Sequence, residues 1–414
     1  MATDHVLTGS APPGPSDTDA PPAPAPASAT ETPAAGAAGE AKRAGISRLP
    51  SLTGLRFLAA LTVFVYHLSI PIPSLRLLAD DRTEFRLYRW FDQAGGLGVS
   101  FFFVLSGFVL TWSARGNDTP AGFWRRRFVK VYPNYVVAWV LAMALFASDI
   151  TSDGVALANL FMVQVWVPEY YTNFSVDPPS WSLGVEVVFY LCFPLLLAAF
   201  RRIDPRHLKY WIGGAVAAVW ATPAVAYALF PATPLVPSGQ NLPATAYWFT
   251  YVLPPVRMVD FALGILVALA VKHGRWRNIG MIPSFVLLGA GYWLTFHMPY
   301  FYGQRATMII PIVLLIAAAA TADVEGRFSL FRNRVMVWLG EISFAFYLLH
   351  YIVLVWLREQ LGTRMFSDTA GFAIMAGAAV GTVALSWVLY RLVEVPLVRR
   401  FSRSRRAEHP DTVT

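Results

Sequence analysis

Between residues 50 and 392 the chain returns again and again to apolar runs close to the ~20 residues that a helix needs to cross a bilayer. Ten can be placed, at about 50–70, 95–113, 131–148, 180–200, 210–230, 248–271, 280–297, 307–322, 335–357 and 370–392. The seventh and eighth are the shortest. The fold class predicted is all-α, a polytopic transmembrane bundle of about ten helices. The stretch LANLFMVQVW at 157–166 is too short to span and reads as an interfacial or re-entrant segment. Composition agrees, because 56% of the 414 residues are hydrophobic and only 14% are charged, where a soluble domain carries about a quarter charged.

Charge orients the spans. With the N-terminus inside, loops on the inner side hold 24 of the Lys and Arg residues and outer loops hold 7. Arg56 and Arg257 fall within spans. An alternation of that size predicts both termini in the cytoplasm of a multi-pass plasma-membrane protein. The net charge of +8 therefore reports orientation, and no nucleic-acid partner is expected. A single cysteine, Cys192, excludes an intrachain disulfide framework and a cysteine metal cluster. Residues 1–45 are rich in Ala and Pro with few large apolar side chains, the composition of a disordered cytoplasmic tail without a cleaved signal. The transmembrane domain is expected over 46–398, followed by a basic cytoplasmic tail at 399–414. The two halves of the chain share no motifs, which weakens the case for a transporter of inverted repeats.

Ionisable residues inside the spans are costly and by default mark a pathway or a reactive site. Arg56 and His67 lie eleven residues apart in the first span, close to three helical turns, so both occupy one face about 16 Å apart. Charge-derived topology puts His67, Glu186 in the fourth span and His350 in the ninth at similar depth. A carboxylate beside a histidine orients the ring for general-base chemistry. The alternative is a buried Glu–His or Glu–Arg pair that holds helices together. At the entrance to the third span, FWRRRFVKVYPNY places Arg125, Arg126, Arg127 and Lys130. Anchoring by the positive-inside rule explains some of these charges. Arg127 and Lys130, one turn apart, also suit the phosphates of a donor such as coenzyme A. In GVSFFFVLSGFVL, Ser106 and Gly107 allow close helix packing or leave a gap for a ligand. No G-x-S-x-G elbow surrounds Ser106 as a nucleophile. Arg257 and Asp260, near the outer end of the sixth span, are candidates for the acceptor entrance.

Together these motifs resemble the acyltransferase 3 family of integral-membrane acyltransferases. SLTGLRFLAALTVFVYH resembles its first helix, with the Arg–x10–His spacing carried by Arg56 and His67. GVSFFFVLSGFVLTW, FWRRRFVKVYPNY, WSLGVEVVFYLCFPLLL, LGEISFAFYLLH and the closing RLVEVPLVRRF follow in the family's order, so the resemblance covers about 48–400. The family's Arg–x–x–Arg pair reads here as Arg127–x–x–Lys130, which keeps the charge and loses one bidentate fork. The resemblance implies O-acyl transfer from a cytoplasmic acyl-CoA to a hydroxyl, with the helix-1 histidine essential and no permanently bound cofactor. The first span is most similar to enzymes acting on sugar or macrolactone hydroxyls of antibiotics; other branches acylate envelope polysaccharides.

The expectation is an acyl-CoA-dependent O-acyltransferase with His67 as base and Glu186 as its partner. Arg56, Arg126, Arg127 and Lys130 would hold the donor. Ser106, Arg257, Asp260 and His350 would meet a hydroxylated small-molecule or glycan acceptor. The rival is a proton-coupled transporter using the same His and Glu groups as a relay.

Overall fold

The computed structural model describes residues 49–115, 118–237 and 241–401. The predicted tail at 1–45 lies outside them, as do residues 402–414. The last helical segment, Val395–Phe401, carries the closing residues of the bundle, so 399–401 are helix and not tail. No strand occurs among the described residues; the only ladder contacts there are isolated bridges such as Leu78 with Phe366.

The principal helices are α1 Pro50–Ser69, α2 Asp81–Phe91, α3 Ala94–Ser113, α4 Pro120–Ala142, α5 Asp153–Leu160, α6 Trp181–Phe200, α7 Leu208–Leu229, α8 Pro254–Lys272, α9 Met281–Thr295, α10 Thr307–Glu325, α11 Arg334–Leu361 and α12 Asp368–Leu389. Among the described residues, nine helical segments are long and apolar enough to cross a membrane. The seventh expected span is the shorter apolar helix α9, 15 residues long. The protein is an all-α polytopic bundle.

Two helices depart from what hydropathy alone predicts. Residues 81–91 read as loop, yet they form α2, a polar helix whose N-terminus is capped by Asp80 accepting from the backbone of Arg82 and Thr83. The third span begins at Pro120, a turn and a half before its basic cluster, with the Thr119 hydroxyl accepting from Gly122 N. The basic residues 125–130 are therefore helical, and helix geometry decides which of them face inward. Segment 157–166 is a short helical end followed by a single 3-10 turn at Gln164–Trp166, too short to span, as expected.

Close backbone approach holds the bundle's centre together. A side chain at Gly107 of α3 would come within 2.0 Å of the Phe261 carbonyl, and one at Gly264 of α8 within 2.0 Å of the Val104 carbonyl. The two glycines thus let α3 and α8 meet backbone to backbone, where dispersion contacts and small residues replace the hydrophobic drive that is missing in lipid. Gly340 does the same between α11 and α1, facing the Thr53 carbonyl. The start of α1 is capped from another helix, because Asp323 of α10 accepts from Ser51 N at 2.8 Å and from Ser51 Oγ at 2.6 Å. These contacts fix α1 between α3 and α11, which positions everything that follows.

Candidate active site

Two cavities run through the core of the bundle and share a wall. The first, about 140 Å³, is lined by Arg56, Ser106, Arg127, Lys130, Glu186 and Tyr190 among apolar neighbours. The second, about 600 Å³, is lined by His67 and a ring of aromatic side chains that includes Tyr66, Tyr170, Trp181, Tyr247 and Tyr251. Val99 and Tyr347 line both. We refer to them as the basic chamber and the aromatic chamber.

Helix geometry explains the division. Arg56 and His67 project from one face of α1, and that face looks onto both chambers in turn. In α4, the residues one turn apart, Arg127 and Lys130, reach the basic chamber. Arg126 points elsewhere and pairs with Asp118 at 2.8 Å. It does not line either chamber, contrary to the donor-binding role expected of it. Glu186 also departs from expectation. It accepts a hydrogen bond from Ser106 Oγ at 2.9 Å and sits with Arg56, Arg127 and Lys130, not beside His67. It is a counter-charge within the cationic cluster. Its position on α6 brings it to the basic chamber because α6 leans against α3 and α4, where Trp124 Nε1 donates to the Tyr190 carbonyl.

The partner of His67 is His350. The ring nitrogens His350 Nε2 and His67 Nδ1 are 3.0 Å apart. His350 Nδ1 lies 2.7 Å from the Tyr347 carbonyl, and His67 Nδ1 lies 3.0 Å from the Val63 carbonyl. A carbonyl can only accept, so His350 carries its proton on Nδ1 and presents a bare Nε2. His67 then donates from Nδ1, shared between His350 Nε2 and the Val63 carbonyl. In the neutral pair the lone pair of His67 Nε2 remains available. His67 reaches the wall of the aromatic chamber, whereas His350 is wholly buried behind it and lines neither cavity. His350 was expected to meet the acceptor; the packing of α11 against α1 turns it toward His67 instead. Tyr66 and Tyr351 close on the His67 ring edge-on, at centroid distances of 4.9 and 5.3 Å.

Arg257 and Asp260 are likewise not at an entrance. Both are fully buried and paired at 3.2 Å, with Arg305 3.3 Å from the other carboxylate oxygen. Arg257 also donates to Ser100 Oγ and lies over the rings of Phe103 and Tyr251. Phe103 faces the basic chamber and Tyr251 the aromatic one, so this ion triad stands behind the walls and supports them.

Sequence reasoning missed the aromatic ring and one acid. Glu394, from the Glu–x–Pro motif, is buried, accepts from Asn134 Nδ2 at 3.3 Å, and lies in the electrostatic neighbourhood of Lys130 and Arg56. Its motif was the available signal. The aromatic residues come from separate loops and helices, so no local spacing announces them. Burial pushes the Tyr170 hydroxyl, at the start of the short helix Tyr170–Asn173 on the chamber wall, up to about 12, so it is a neutral donor there.

Residues 49–391 match the family described as acyltransferase domain. The chain belongs to that family. Among curated relatives, the acyltransferase domain is 40% identical to acyltransferase MdmB of Streptomyces mycarofaciens, over 89% of this chain and 96% of that protein. It is 26% identical to peptidoglycan O-acetyltransferase OatA of Listeria monocytogenes, over 84% of this chain and 56% of the relative. It is 25% identical to the Bacillus subtilis protein named putative peptidoglycan O-acetyltransferase YrhL, over 86% and 56%. The chain thus spans nearly all of the first relative and about half the length of the other two. No solved structure matches it. With its spanning helices, the acyltransferase domain makes this chain a multi-pass membrane acyltransferase.

Proposed function

We propose that this acyltransferase moves a short acyl group from acyl-CoA to a hydroxyl of a sugar, a macrolactone-type antibiotic or an envelope glycan, with His67 as general base. The observation that carries the reading is the shared wall: a cationic chamber and an aromatic chamber meet at Val99 and Tyr347, with an available imidazole nitrogen on the aromatic side. Arg56, Arg127 and Lys130 suit the phosphates of the donor, and the 24-to-7 distribution of basic residues favours a cytoplasmic mouth for that chamber in the plasma membrane. The aromatic chamber, about 600 Å³, falls in the range of small-molecule sites. Its rings offer apolar faces to a sugar or macrolactone, and its tyrosine hydroxyls offer hydrogen bonds. The O-acetyltransferase named among the relatives and the similarity to an acyltransferase of Streptomyces both fit a hydroxyl acceptor.

In this reading the acceptor hydroxyl gives its proton to His67 Nε2 as its oxygen attacks the thioester carbonyl. The carbon–sulfur bond breaks, and the departing thiolate takes the proton from the imidazolium. Ester and free thiol result, and His67 is neutral again. No external co-reactant is required beyond donor and acceptor. The relay reading, a proton-coupled transporter, has no counterpart for the cationic chamber and no support from the family.

The test is acyl transfer by purified, detergent-solubilised protein from labelled short-chain acyl-CoAs to hydroxylated macrolides and to envelope polysaccharide. Histidine-dependent labelling of one acceptor supports the reading and identifies its branch. Undiminished transfer by His67→Ala, or no acyl-CoA binding by the wild type, overturns it.

A further inference from the structure

We infer that His350 is a positioning residue for His67: it holds the imidazole in its reactive orientation and accepts the strengthened hydrogen bond when His67 becomes charged. The inference rests on the reading of His67 as base. The geometry is a chain of three acceptors and two rings. The Tyr347 carbonyl fixes the proton of His350 on Nδ1, His350 Nε2 therefore faces His67 as a lone pair, and His67 Nδ1 lies 3.0 Å away. The Val63 carbonyl, four residues back on the same helix, also takes a share of the His67 Nδ1 proton. It can hold the tautomer, but it belongs to α1 and is committed to helix geometry. His350 comes from α11 and is the acceptor that opposes rotation of the ring away from the chamber wall.

The surroundings say why a histidine stands there. His350 is wholly buried, with the Phe346 ring stacked 6.2 Å from it and the Phe64 ring edge-on at 6.3 Å. A carboxylate in that place would add a permanent charge at a depth where charge is costly. A neutral imidazole accepts the same bond at no such cost while the enzyme rests. When His67 takes the acceptor's proton, its Nδ1–H becomes a charge-assisted donor, and the bond to His350 Nε2 shortens and strengthens. The stabilisation is therefore larger in the charged state than in the resting one, which is the condition for a contribution to rate. The nearby Tyr347 hydroxyl is already engaged with Ser182 Oγ at 2.8 Å and the Pro179 carbonyl at 3.0 Å, so among the described residues His350 is the side chain in hydrogen-bond contact with His67 Nδ1.

Three variants in the full chain test this: His350→Phe, which keeps an aromatic filler and removes the acceptor; His350→Gln, whose Oε1 can restore it; and His67→Ala. Hydrogen bonds to charged groups are worth enough to change a rate by about 10–100-fold when lost. His350→Phe is expected to lower kcat by about that factor with KM for donor and acceptor nearly unchanged, and His350→Gln to regain most of the loss. In the His67→Ala background, adding His350→Phe should cost nothing more. Nitrogen-15 spectra of histidine-labelled wild type should show His67 protonated on Nδ1 and bare on Nε2. Full activity of His350→Phe, a His350→Gln variant as slow as His350→Phe while still binding acyl-CoA, or the opposite tautomer of His67 in the wild type would each overturn the pairing. If His67→Ala itself turns over normally, the base reading falls first; a dead His67→Ala beside a fully active His350→Phe removes only the role of His350.

Discussion

The basic and aromatic chambers share two residues and almost no chemistry. On one side, Arg56, Arg127 and Lys130 line the cavity with the half-buried carboxylate of Glu186. On the other, His67 faces rings and tyrosine hydroxyls. Both are built on the same face of α1, separated by three turns of helix. A cluster of like charges selects an anion by Coulombic attraction, which tolerates variation in the uncharged part of the ligand. A ring-lined cavity selects shape and spares charge. Under the proposed function, the difference becomes a division of labour in which one chamber would grip a constant, phosphorylated handle and the other would read a variable, hydroxylated ring. Substitutions on each side attack that division directly.

His67→Ala carries the largest expected effect. Loss of a general base lowers the rate by typically 10²–10⁴-fold, while acyl-CoA binding, which the proposal assigns to the other chamber, should stay within a few-fold of wild type. Calorimetric titration of acyl-CoA beside the transfer assay checks both halves, and a parallel loss of donor binding would dissolve the division. Next come Arg127→Ala and Lys130→Ala. Each should raise the donor KM by about 10–100-fold, the scale of a lost charge-assisted bond, and leave the acceptor KM in place. Lys130→Arg supplies a second fork and should bind donor at least as well as wild type. A smaller effect is expected from Tyr247→Leu or Trp181→Leu. An aromatic contact beyond its buried area is worth about 0.5–1.5 kcal/mol, so the acceptor KM should rise a few-fold to about tenfold with the donor KM untouched. A change confined to the donor KM in these variants would assign the aromatic chamber to the wrong substrate.

Much of this was legible in the chain, for reasons that also explain what was not. The spans are visible because a bilayer demands long apolar runs. The common face of Arg56 and His67, and the single turn that joins Arg127 to Lys130, follow from the period of one helix. Contacts between helices are another matter. The sequence reading pairs Glu186 with His67 and gives His350 to the acceptor, although each is one ionisable group in an apolar run at similar depth. The choice between them is made by rotation about helix axes. The Gly340 contact with the Thr53 backbone sets α11 against α1 and aims His350 at His67, whereas α6 presents Glu186 to Ser106. Arg257 and Asp260 were misplaced for the same reason: they are three residues apart and buried together, and only the position of Arg305 from a distant segment shows that they form an interior triad. Helix α2 escaped hydropathy because its residues are polar and its stability comes from a capping aspartate and from packing.

The smallest expected effect contrasts the chambers by the way each treats an acid. Glu186 lies among cations, while Asp177, just before Pro178 and Pro179 at the rim of the aromatic chamber, is 1% exposed and its carboxylate oxygens meet no donor among the described residues. The neighbours that sense its charge are the rings of Tyr135, Tyr347 and Tyr351. Burial alone pushes this carboxyl well above the usual carboxylate range, so the folded protein keeps a proton on Asp177 at pH values where the unfolded chain has released it. The folded state then binds more protons than the unfolded one, and stability falls as pH rises from the unfolded pKa to the folded one, by at most about 1.4 kcal/mol per pH unit from this group. Asp177→Asn removes the ionisation and keeps the shape. Thermal melts of the detergent-solubilised protein between pH 5 and 8 should show a shallower decline with pH in the variant than in the wild type, and the two Tm values should converge toward the acid end. Parallel curves would mean that Asp177 is ionised in the folded protein, and that the rim of the aromatic chamber carries a charge after all.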